Sequence, residues 1–350
     1  MTTIQVKASR SYEAKIGRGL LSSLGREAAD LIRGRTAAIV SDSNVAPLYL
    51  NQVKTSLEEA GFRACSFVFD AGESSKNGET YLNLLEFLAE HQVTRSDTLV
   101  ALGGGVVGDL TGFAAATFLR GVDFIQLPTT LLAAVDASVG GKTAIDLKNG
   151  KNLAGAFYQP RLVLCDLDTL DTLPDDIFAD GCAEGIKYGM IGDRDLLDLL
   201  GQKHFREDPE EVVARCIAMK RDLVEADEFD TGARQLLNLG HTMGHGIEAC
   251  SDYAISHGKA VAIGMTLITR AAIQRGMCSA ESLSNLQKLL KQYGLPDTTG
   301  YSAAELYEKT LSDKKRTGGT ITLVVPTEWG KSILHKISVE DLKNWIEKGL

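Results

Sequence analysis

Short apolar segments rich in β-branched residues alternate with amphipathic helical patterns through the first half of the chain. The strand-like segments are Tyr12–Ile16, Thr36–Ser41, Ala64–Phe69, Thr98–Leu102 and Asp123–Leu127. The segments with helical periodicity are Leu20–Ile32, Tyr49–Ala60, Tyr81–His91 and Leu110–Leu119. Such alternation is typical of βαβ units, in which helices connect the parallel strands of one sheet.

From about Asp175 onward the pattern is mainly helical, with one later strand at Ile321–Val325. The helical segments are Ile177–Met190, Glu210–Glu225, Gly240–Ala249, Lys259–Arg275 and Ala280–Gln292. We therefore predict an α/β N-terminal domain with a parallel sheet over residues 1–172 and an all-α C-terminal helical domain over residues 173–350.

Length and composition agree with two globular domains and argue against several classes of protein. A chain of 350 residues exceeds one ordinary core, and 44% hydrophobic with 24% charged residues is a typical globular composition. The net charge of −9 argues against non-specific binding to nucleic acid. The six cysteines lack CxxC spacing, no signal peptide precedes them, and no apolar run approaches the roughly 18 residues of a membrane span. We therefore expect a cytoplasmic protein that binds neither nucleic acid nor membranes.

The sequence NLGHTMGHGIE places His241, His245 and Glu248 on one side of a predicted helix. Two imidazoles one turn apart are a common way to present a divalent metal, and neutral imidazole suits zinc. Thr242 stands where a zinc peptidase of the HExxH type carries its acid, so peptidase chemistry is not indicated. The alternative is a pair of structural histidines, but a third histidine at His257 and the neighbouring glycines favour a ligand site.

An acid in the helical half could complete such a metal site. Glu184 and Lys187 lie on neighbouring turns of the glycine-rich segment DGCAEGIKYG. A carboxylate among small and apolar residues is costly to bury unless it is paired or bound to a metal. Glu184 is therefore our candidate for the third ligand, and an i,i+3 salt bridge with Lys187 is the alternative.

In the first half, the strand Thr98–Leu102 continues directly into GGGVVGD and then a helix, a match to G-x-G-x-x-G in its strand-to-helix context. Such glycines let the backbone approach a pyrophosphate, and amides at the start of the helix meet its charge. The motif favours a nucleotide-binding first domain, with a ligand-free glycine turn as the alternative. Asp42, which follows the Thr36–Ser41 strand, is a better acceptor for ribose hydroxyls than Asp123.

A second glycine-rich segment, DASVGGKT, resembles the P-loop of nucleoside triphosphatases but does not match its pattern fully. Asp136 stands where the P-loop needs glycine, and the residues before it have a helical rather than a strand pattern. This argues against triphosphatase activity. The loop instead presents Lys142 beside backbone amides, followed by Lys148, Lys151 and Asn152, which together suit an oxyanion.

Taken together, these residues resemble the dehydroquinate synthase family of sugar-phosphate cyclases, which is related in fold to glycerol dehydrogenases and iron-type alcohol dehydrogenases. The matching blocks are GGGVVGDLTGFAAATFLRG (103–121), LPTTLLAAVDASVGGKTAID (127–146), GKNLAGAFYQP (150–160), FADGCAEGIKYG (178–189), RQLLNLGHTMGHGIEA (234–249) and HGKAVAIGM (257–265). The resemblance extends from about Tyr12 to the C-terminus and implies a dehydroquinate synthase-like fold.

The resemblance also implies cofactors and the residues that bind them. It implies zinc or cobalt held by Glu184, His241 and His257. The implied NAD-binding residues are Asp42, Asn44, Gly72, Glu73, Ser74, Ser75, Lys76, Gly105, Val106, Val107, Gly108, Asp109, Thr129, Thr130, Lys142, Lys151, Thr169, Leu170, Asp171 and Thr172. The implied substrate residues are Arg120, Asp136, Lys142, Asn152, Lys187, Lys220, Arg234, Asn238, His245 and Lys314. Arg120 is expected to reach over from the partner in a homodimer.

The implied substrate is 3-deoxy-D-arabino-heptulosonate 7-phosphate, a phosphorylated sugar acid, in the shikimate pathway to aromatic amino acids. Its two anionic groups would explain a concentration of Lys and Arg around one metal in an acidic protein. The implied sequence is transient oxidation at C5 by NAD, β-elimination of phosphate, re-reduction, ring opening and an intramolecular aldol closure. Asp230 departs from the family, which often carries Glu there. Another sugar-phosphate cyclase, a metal-dependent polyol dehydrogenase and a non-enzymatic binding module are the alternatives.

Overall fold

The computed structural model describes residues 1–203, 205–314 and 319–350, without the side chains of residues 312–314. It divides into two compact units. The first comprises Met1–Leu173 and Val213–Phe229, and the second Pro174–Val212 and Asp230–Leu350. The sequence-based division at residue 172 therefore differs for residues 213–229, which belong to the first unit rather than the helical one.

The first unit contains nine strands and four complete helices in its described residues. The strands are β1 (Thr2–Lys7), β2 (Ser11–Gly17), β3 (Thr36–Asp42), β4 (Arg63–Phe69), β5 (Thr98–Gly103), β6 (Asp123–Pro128), β7 (Lys142–Leu147), β8 (Gly150–Phe157) and β9 (Leu162–Asp166). The helices are α1 (Leu24–Leu31), α2 (Ala46–Glu59), α3 (Gly78–Glu90) and α4 (Gly105–Thr117).

Seven of these strands form one sheet in the order β1-β2-β9-β6-β5-β3-β4. Only the β1–β2 pair is antiparallel, and the other neighbours run parallel. From β3 the chain continues to β4 at one edge, then returns past β3 to β5 and proceeds to β6. The carboxyl ends of β3 and β5 therefore flank the point where the strand order reverses, which is where open α/β sheets bind ligands.

Both faces of this sheet are covered, as the continuous apolar strands predict. Along β3, Ala37 and Ile39 face a core layer with α1 and α2, whereas Ala38 and Val40 face a second layer with α3 and α4. This period-2 alternation positions the strand ends rigidly at the edge that carries the glycine-rich turn.

Residues 213–229 pack with the first unit through contacts that a local sequence pattern does not reveal. Glu225 accepts a hydrogen bond from the backbone N–H of Lys7 (2.7 Å), and Glu228 accepts one from that of Ser9 (2.7 Å). The ring of Phe229 also contacts Phe157 edge-on, with centroids 5.3 Å apart. These contacts join residues far apart in the chain, so helical periodicity alone assigned them to the wrong neighbour.

The second unit is mainly helical, but it also contains a two-stranded antiparallel ribbon. The helices are α5 (Asp175–Gly192), α6 (Arg194–Gln202), α7 (Pro209–Ala226), of which residues from Val213 belong to the first unit, α8 (His241–Cys250), α9 (His257–Gln274), α10 (Ala280–Gln292), α11 (Ala303–Lys314) and α12 (Val339–Gly349). The ribbon pairs β10 (Thr320–Glu328) with β11 (Lys331–Ser338), so the expected single strand has a partner and the unit is not all-α. Among the described residues, no helix has both the length and the apolar character needed to cross a bilayer.

Two element predictions in the first unit need correction. Helix α4 begins at Gly105 rather than Leu110, and its first turns lie against β6: a Cβ on Gly108 would lie 2.8 Å from Gln126 Oε1. Lys142 starts β7 of an antiparallel β7–β8 hairpin and does not lie in a loop. Low intrinsic propensity concealed both elements, whereas tertiary contacts stabilise them.

Candidate active site

Three side chains from three helices of the second unit converge. Glu184 lies on α5 and is fully buried, His241 is the first residue of α8, and His257 is the first residue of α9. Nε2 of His241 lies 3.8 Å and Nε2 of His257 lies 3.5 Å from Oε1 of Glu184. Ligand atoms about 2.1 Å from a tetrahedral metal are separated by about 3.4 Å. The spacing therefore suits these three side chains as ligands of one divalent metal.

The outer nitrogen of each imidazole is bound to an acceptor. His241 Nδ1 donates to the backbone carbonyl of Leu239 (3.1 Å), and His257 Nδ1 donates to Oε2 of Glu248 (3.3 Å). Because carbonyl and carboxylate oxygens only accept, Nδ1 of each ring carries a proton, and in a neutral ring Nε2 is the nitrogen that offers its lone pair. Histidines that bind metals are oriented by bonds of this kind.

Glycines allow the three helices to approach closely enough for these contacts. A Cβ on Gly258 would lie 2.1 Å from the backbone oxygen of Asp180 on α5. A Cβ on Gly264 would lie 2.0 Å from the backbone oxygen of Gly240, which precedes α8 in a left-handed conformation with φ of 78°. The glycines that flank the histidines in the sequence therefore admit a neighbouring helix backbone.

Asp180 fixes the start of α9 against α5. Its Oδ1 accepts hydrogen bonds from the hydroxyl of Ser256 (2.6 Å) and from the backbone N–H of Lys259 (3.1 Å). Asp180 lies one turn before Glu184 on α5. Its carboxylate thus satisfies an N–H in the first turn of α9, the helix that begins with His257. This role of Asp180 was not predicted, since a cap supplied by another helix leaves no local signature in the sequence.

The charges around the cluster act in opposite directions on its two histidines. Burial would lower the pKa of His257, but hydrogen bonds to Glu184 and Glu248 outweigh it and raise the pKa to about 10. Burial, together with the nearby Lys187 ammonium, lowers the pKa of His241 well below its usual value. Lys187 also forms an ion pair with Glu184 Oε2, so the salt bridge considered as an alternative coexists with the metal-like arrangement.

Three further predicted residues lie in the same unit. The ring of His245, one turn after His241 on α8, has its centroid 5.4 Å from that of His241 and 6.1 Å from that of His257. Arg234 and Asn238 lie in the 3₁₀ segment Ala233–Asn238 just before α8, where Arg234 is only 2% exposed. The structure thus brings His245 to the cluster and places Arg234 and Asn238 on the segment leading to it.

In the first unit, the glycine-rich turn joins β5 to α4 at the sheet edge where the strand order reverses. Gly104 precedes the helix, and the amides of Gly105, Val106 and Val107 belong to its first turn, where they have no intrahelical acceptor. A Cβ on Gly104 would lie 3.0 Å from Cγ2 of Thr130. This arrangement of amides without side chains is suited to a pyrophosphate.

Asp42 and Asn44 lie at the carboxyl end of β3, on the other side of this point. Oδ1 of Asp42 accepts from the backbone N–H groups of Asn44 (2.9 Å) and Val45 (3.0 Å). One carboxylate oxygen therefore helps to start α2. Recognition of a ribose hydroxyl by Asp42 would use the other oxygen.

Four of the residues predicted to bind NAD form one ionic cluster in the first unit. The ammonium of Lys76, 4% exposed, lies 2.9 Å from Asp109 Oδ2 and 3.4 Å from Glu73 Oε1. Lys151 Nζ lies 3.7 Å from the same Glu73 oxygen. Burial would lower the pKa of Lys76, but Asp109 and Glu73 outweigh it and raise the pKa, while burial raises the pKa of Asp109. The cluster ties residues 72–76, α4 and the β7–β8 hairpin together.

The hairpin presents Lys142 and Asn152. Lys142 is exposed at the start of β7, two residues after Gly140, whose N–H donates to the hydroxyl of buried Tyr12 (3.1 Å). Asn152 has φ of 56°, and its N–H donates to Asp146 Oδ1 (2.8 Å). Asp146, which was not predicted from the sequence, therefore helps to hold the backbone of Asn152 in place.

Two predicted substrate residues bind each other. The ammonium of Lys220 on α7, buried, donates to the backbone oxygen of Asp136 (2.6 Å) and lies 2.8 Å from its Oδ1. Asp136 lies in the π-helical segment Ala133–Ala137, which confirms the helical pattern predicted before the second glycine-rich segment. The pair explains why residues 213–229 pack with the first unit.

The predicted threonines occupy two places. The N–H of Thr129 donates to the backbone oxygen of Gly103 (3.0 Å), and its buried hydroxyl has no hydrogen-bond partner among the described residues. The segment Leu167–Thr172 is a 3₁₀ turn, in which Thr172 Oγ1 lies 2.5 Å from the hydroxyl of Tyr49. Thr129 thus lies at the glycine-rich turn.

Within that 3₁₀ turn, two residues predicted to bind NAD make contacts inside the protein. Leu170 is buried, and Asp171 forms an ion pair with Arg18 (2.8 Å). Among the loop positions, Gly72 has φ of 116° and precedes the short 3₁₀ turn Glu73–Ser75, which contains Ser74.

Arg120 and Asp230 have strained backbones, and Lys314 ends α11. Arg120 is exposed and has φ of 65°, following Leu119 at 51°. Asp230 has φ of 58°. The side chain of Lys314 lies outside the described residues, so its predicted contact with substrate is not addressed by the structure.

The fold, with its glycine-rich turn and its Glu-His-His cluster, defines the class of proteins built like the sugar-phosphate cyclases. A solved structure of 2-deoxy-scyllo-inosose synthase complexed with carbaglucose-6-phosphate, NAD⁺ and Co²⁺ superposes with a TM-score of 0.89 at 26% identity over 100% of both chains. An iron-containing alcohol dehydrogenase, at 15% identity, shares the fold over 99% of both chains with a TM-score of 0.67.

Within this class, the chain belongs to the 3-dehydroquinate synthase family. Its residues 66–180 match the family model for the N-terminal part of 3-dehydroquinate synthase, and residues 181–316 match the model for the C-terminal part. It is 42% identical to the 3-dehydroquinate synthase of Streptococcus sanguinis over 96% of this chain and 97% of that protein. Identity to the Clostridium kluyveri protein of that name is 41% over 98% of this chain and 97% of that protein.

Proposed function

We propose that this chain converts 3-deoxy-D-arabino-heptulosonate 7-phosphate to 3-dehydroquinate and phosphate, with NAD and a divalent metal, zinc or cobalt, as cofactors. The observation that carries the proposal is the convergence of Glu184, His241 and His257 in a chain whose relatives named 3-dehydroquinate synthase match nearly its whole length. Such a reaction is a carbon–oxygen lyase reaction with no net change in oxidation state.

The second unit fits a divalent metal in its donor set and in its spacing. One carboxylate oxygen and two imidazole nitrogens lie within 4.8 Å of one another, and the rings are oriented by Leu239 and Glu248. A divalent ion bound there supplies Lewis-acid polarisation of the substrate oxygens. Glu184 and the two histidines would hold it, and Lys187 would fix the orientation of the Glu184 carboxylate.

The first unit fits a dinucleotide at the β5–α4 turn. The amides of the first turn of α4 can bind the pyrophosphate, because Gly104 and Gly105 present no side chain in front of them. The buried hydroxyl of Thr129 offers a polar partner at the same place. The ionic cluster of Lys76 and Asp109 would keep the adjacent loops in position.

The substrate carries a carboxylate and a phosphate, and the chain as a whole is negatively charged. Local cations must therefore supply the attraction. We assign this role to Lys142, Lys187, Lys220, Arg234 and Lys314, with hydrogen bonds from Asn152, Asn238 and His245. Asp136 would orient the Lys220 ammonium, which it already binds. These residues bind and orient the substrate, so their contribution is positioning and preorganised charge.

We further propose a homodimer in which Arg120 acts on the partner's substrate, in the cytoplasm. The exposure of Arg120 and its left-handed backbone support a role directed away from its own fold. The six cysteines are free thiols, which agrees with a reducing compartment.

Mixing inactive Arg120→Ala with an inactive metal-ligand variant should restore part of the activity, and no recovery after subunit exchange would refute the shared site.

The deciding experiment measures phosphate release from the heptulosonate phosphate with zinc and substoichiometric NAD. We expect many turnovers per NAD and no net absorbance at 340 nm, because the hydride returns to the substrate. Stoichiometric NADH would indicate a polyol dehydrogenase instead. Release of phosphate from glucose 6-phosphate but not from the heptulosonate would indicate another sugar-phosphate cyclase, and no turnover with either sugar or with polyols would indicate a binding module.

A further inference from the structure

A second buried carboxylate lies next to the proposed metal ligands. Glu248 is on α8, two turns after His241, and is only 4% exposed. Its Oε2 lies 3.3 Å from Nδ1 of His257. Burying a carboxylate is costly unless a partner compensates for the lost hydration, so this contact has an energetic reason to form.

The contact determines which nitrogen of His257 can bind a metal. An ionised carboxylate only accepts hydrogen bonds, so the proton of the neutral ring lies on Nδ1. Nε2 then presents its lone pair toward Glu184 Oε1, 3.5 Å away. Loss of the carboxylate would remove the acceptor that fixes this tautomer and this orientation of the ring.

The backbone of Glu248 is held in place by the turn that follows α8. Its carbonyl accepts the N–H of Tyr253 (2.8 Å) and the hydroxyl of Ser251 (2.9 Å). Asp252 and Tyr253 have positive φ of 47° and 63°, which turns the chain toward the start of α9. Glu248 thus accepts hydrogen bonds from the turn after α8 and also binds the ring that begins α9.

We propose that Glu248 is a positioning residue that orients His257 for the metal and increases its basicity. The proposal rests on the metal-dependent function proposed above. It assigns Glu248 no direct contact with the ion, because its carboxylate meets the ring on the side opposite the atom that faces Glu184.

A direct ligand role is the competing explanation. His245, Glu248 and His257 also offer ligand atoms within 4.8 Å of one another. A metal site of this kind would share His257 with the site formed by Glu184 and His241, so the two sites would compete for that ligand. The two roles differ in magnitude, since losing a hydrogen bond to a ligand costs about 10–100-fold in metal affinity, whereas losing a ligand costs far more.

The test compares Glu248→Ala, Glu248→Gln and a control, Ile247→Val, which loses one methyl group at the adjacent buried position. The zinc dissociation constant is measured by competition with a chelating dye, the cobalt form by its visible absorption spectrum, and NAD affinity separately. We expect zinc affinity to fall about 10–100-fold in Glu248→Ala. The loss should be smaller in Glu248→Gln, whose amide oxygen still accepts from Nδ1. The cobalt spectrum should change at saturation in Glu248→Ala, while NAD affinity and the control should match wild type.

Two results would overturn the assignment. Unchanged zinc affinity in a folded Glu248→Ala protein would show that His257 needs no such support. A loss as complete as that of His241→Ala would make Glu248 a ligand. Failure of the wild-type protein to bind zinc or cobalt would instead remove the metal from the proposed function, and this measurement needs no substrate turnover.

Discussion

The close contact between α9 and α5 makes Gly258→Ala a sharp test of how the metal cluster is built. The added Cβ would lie 2.1 Å from the backbone oxygen and 2.7 Å from the carbonyl carbon of Asp180. Real Cβ contacts are not found below 3.0 Å, so the oxygen and the Cβ must separate by about 0.9 Å. Both partners are parts of helices, and no flexible side chain can absorb the shift.

The displacement acts on the neighbouring residue, His257. Metal–ligand distances are tolerated within about 0.2 Å, so moving one ligand by close to 1 Å relative to Glu184 should abolish tight binding. Overpacking of this kind also costs about 1–3 kcal/mol of unfolding free energy. We therefore expect Gly258→Ala to lose zinc and activity together, with a lower melting temperature.

The matched control is Gly201→Ala in α6 of the same unit. Among the residues that the structure describes, a Cβ there would meet only Leu289 Cδ2 at 3.9 Å, so the change should be neutral or stabilise the protein by about 0.4–1 kcal/mol. Zinc affinity by dye competition and unfolding by denaturant are measured for both variants. Wild-type zinc affinity in Gly258→Ala would refute the argument that helix approach sets the ligand spacing.

Three further predictions concern the two clusters. His241→Ala should abolish tight zinc binding and activity with the fold retained, as judged by metal analysis and circular dichroism; full activity would remove the metal assignment. Asp180→Ala should lower the unfolding free energy by about 1–2 kcal/mol through loss of the helix cap and weaken zinc binding, with partial rescue by Asn. Lys76→Met should lower the unfolding free energy by about 2–3 kcal/mol at pH 8 by stranding the part-buried Asp109 carboxylate. Burial raises the pKa of that carboxyl and Lys76 opposes this, so the folded pKa should rise further in the variant. Protonation then stabilises the folded variant more than the wild type, so the deficit should shrink toward pH 5, and a constant deficit would contradict this.

Five of the seven strands in the sheet were predictable, because they are strand-like apolar segments bounded by turn residues, whereas β1 and β9 were not predicted. The segments at Thr36 and Thr98 begin where the strands begin. The β7–β8 hairpin and β11 were missed, since each is stabilised mainly by its antiparallel partner and has weak patterning of its own. Residues 213–229 were assigned to the wrong unit because their contacts are not local: Lys220 binds Asp136, which lies 84 residues earlier in the chain.

The site shows the same division between local and non-local information. The sequence showed that His241 and His245 lie one turn apart on one helix, and the glycines beside them indicated that a ligand or another helix comes close. That Glu184 joins the histidines from a third helix was a hypothesis from burial cost and resemblance. The supporting role of Asp180 left no sequence signal, because its partners Ser256 and Lys259 lie more than one helix away.

The charge of the cluster explains why these supporting acids are needed. Both metal-binding histidines begin helices, and the positive end of a helix dipole disfavours a cation there. Three carboxylates, on Glu184, Glu248 and Asp180, oppose that field, and one ammonium, on Lys187, offsets part of their charge. With neutral imidazoles the formal charge is therefore two negative units, which a divalent ion neutralises. Burial would lower the pKa of His257, but Glu184 and Glu248 raise it, so these two carboxylates favour positive charge at this place. Removing either supporting acid would leave the site one charge short, so a divalent ion should bind less tightly even where all three ligands remain.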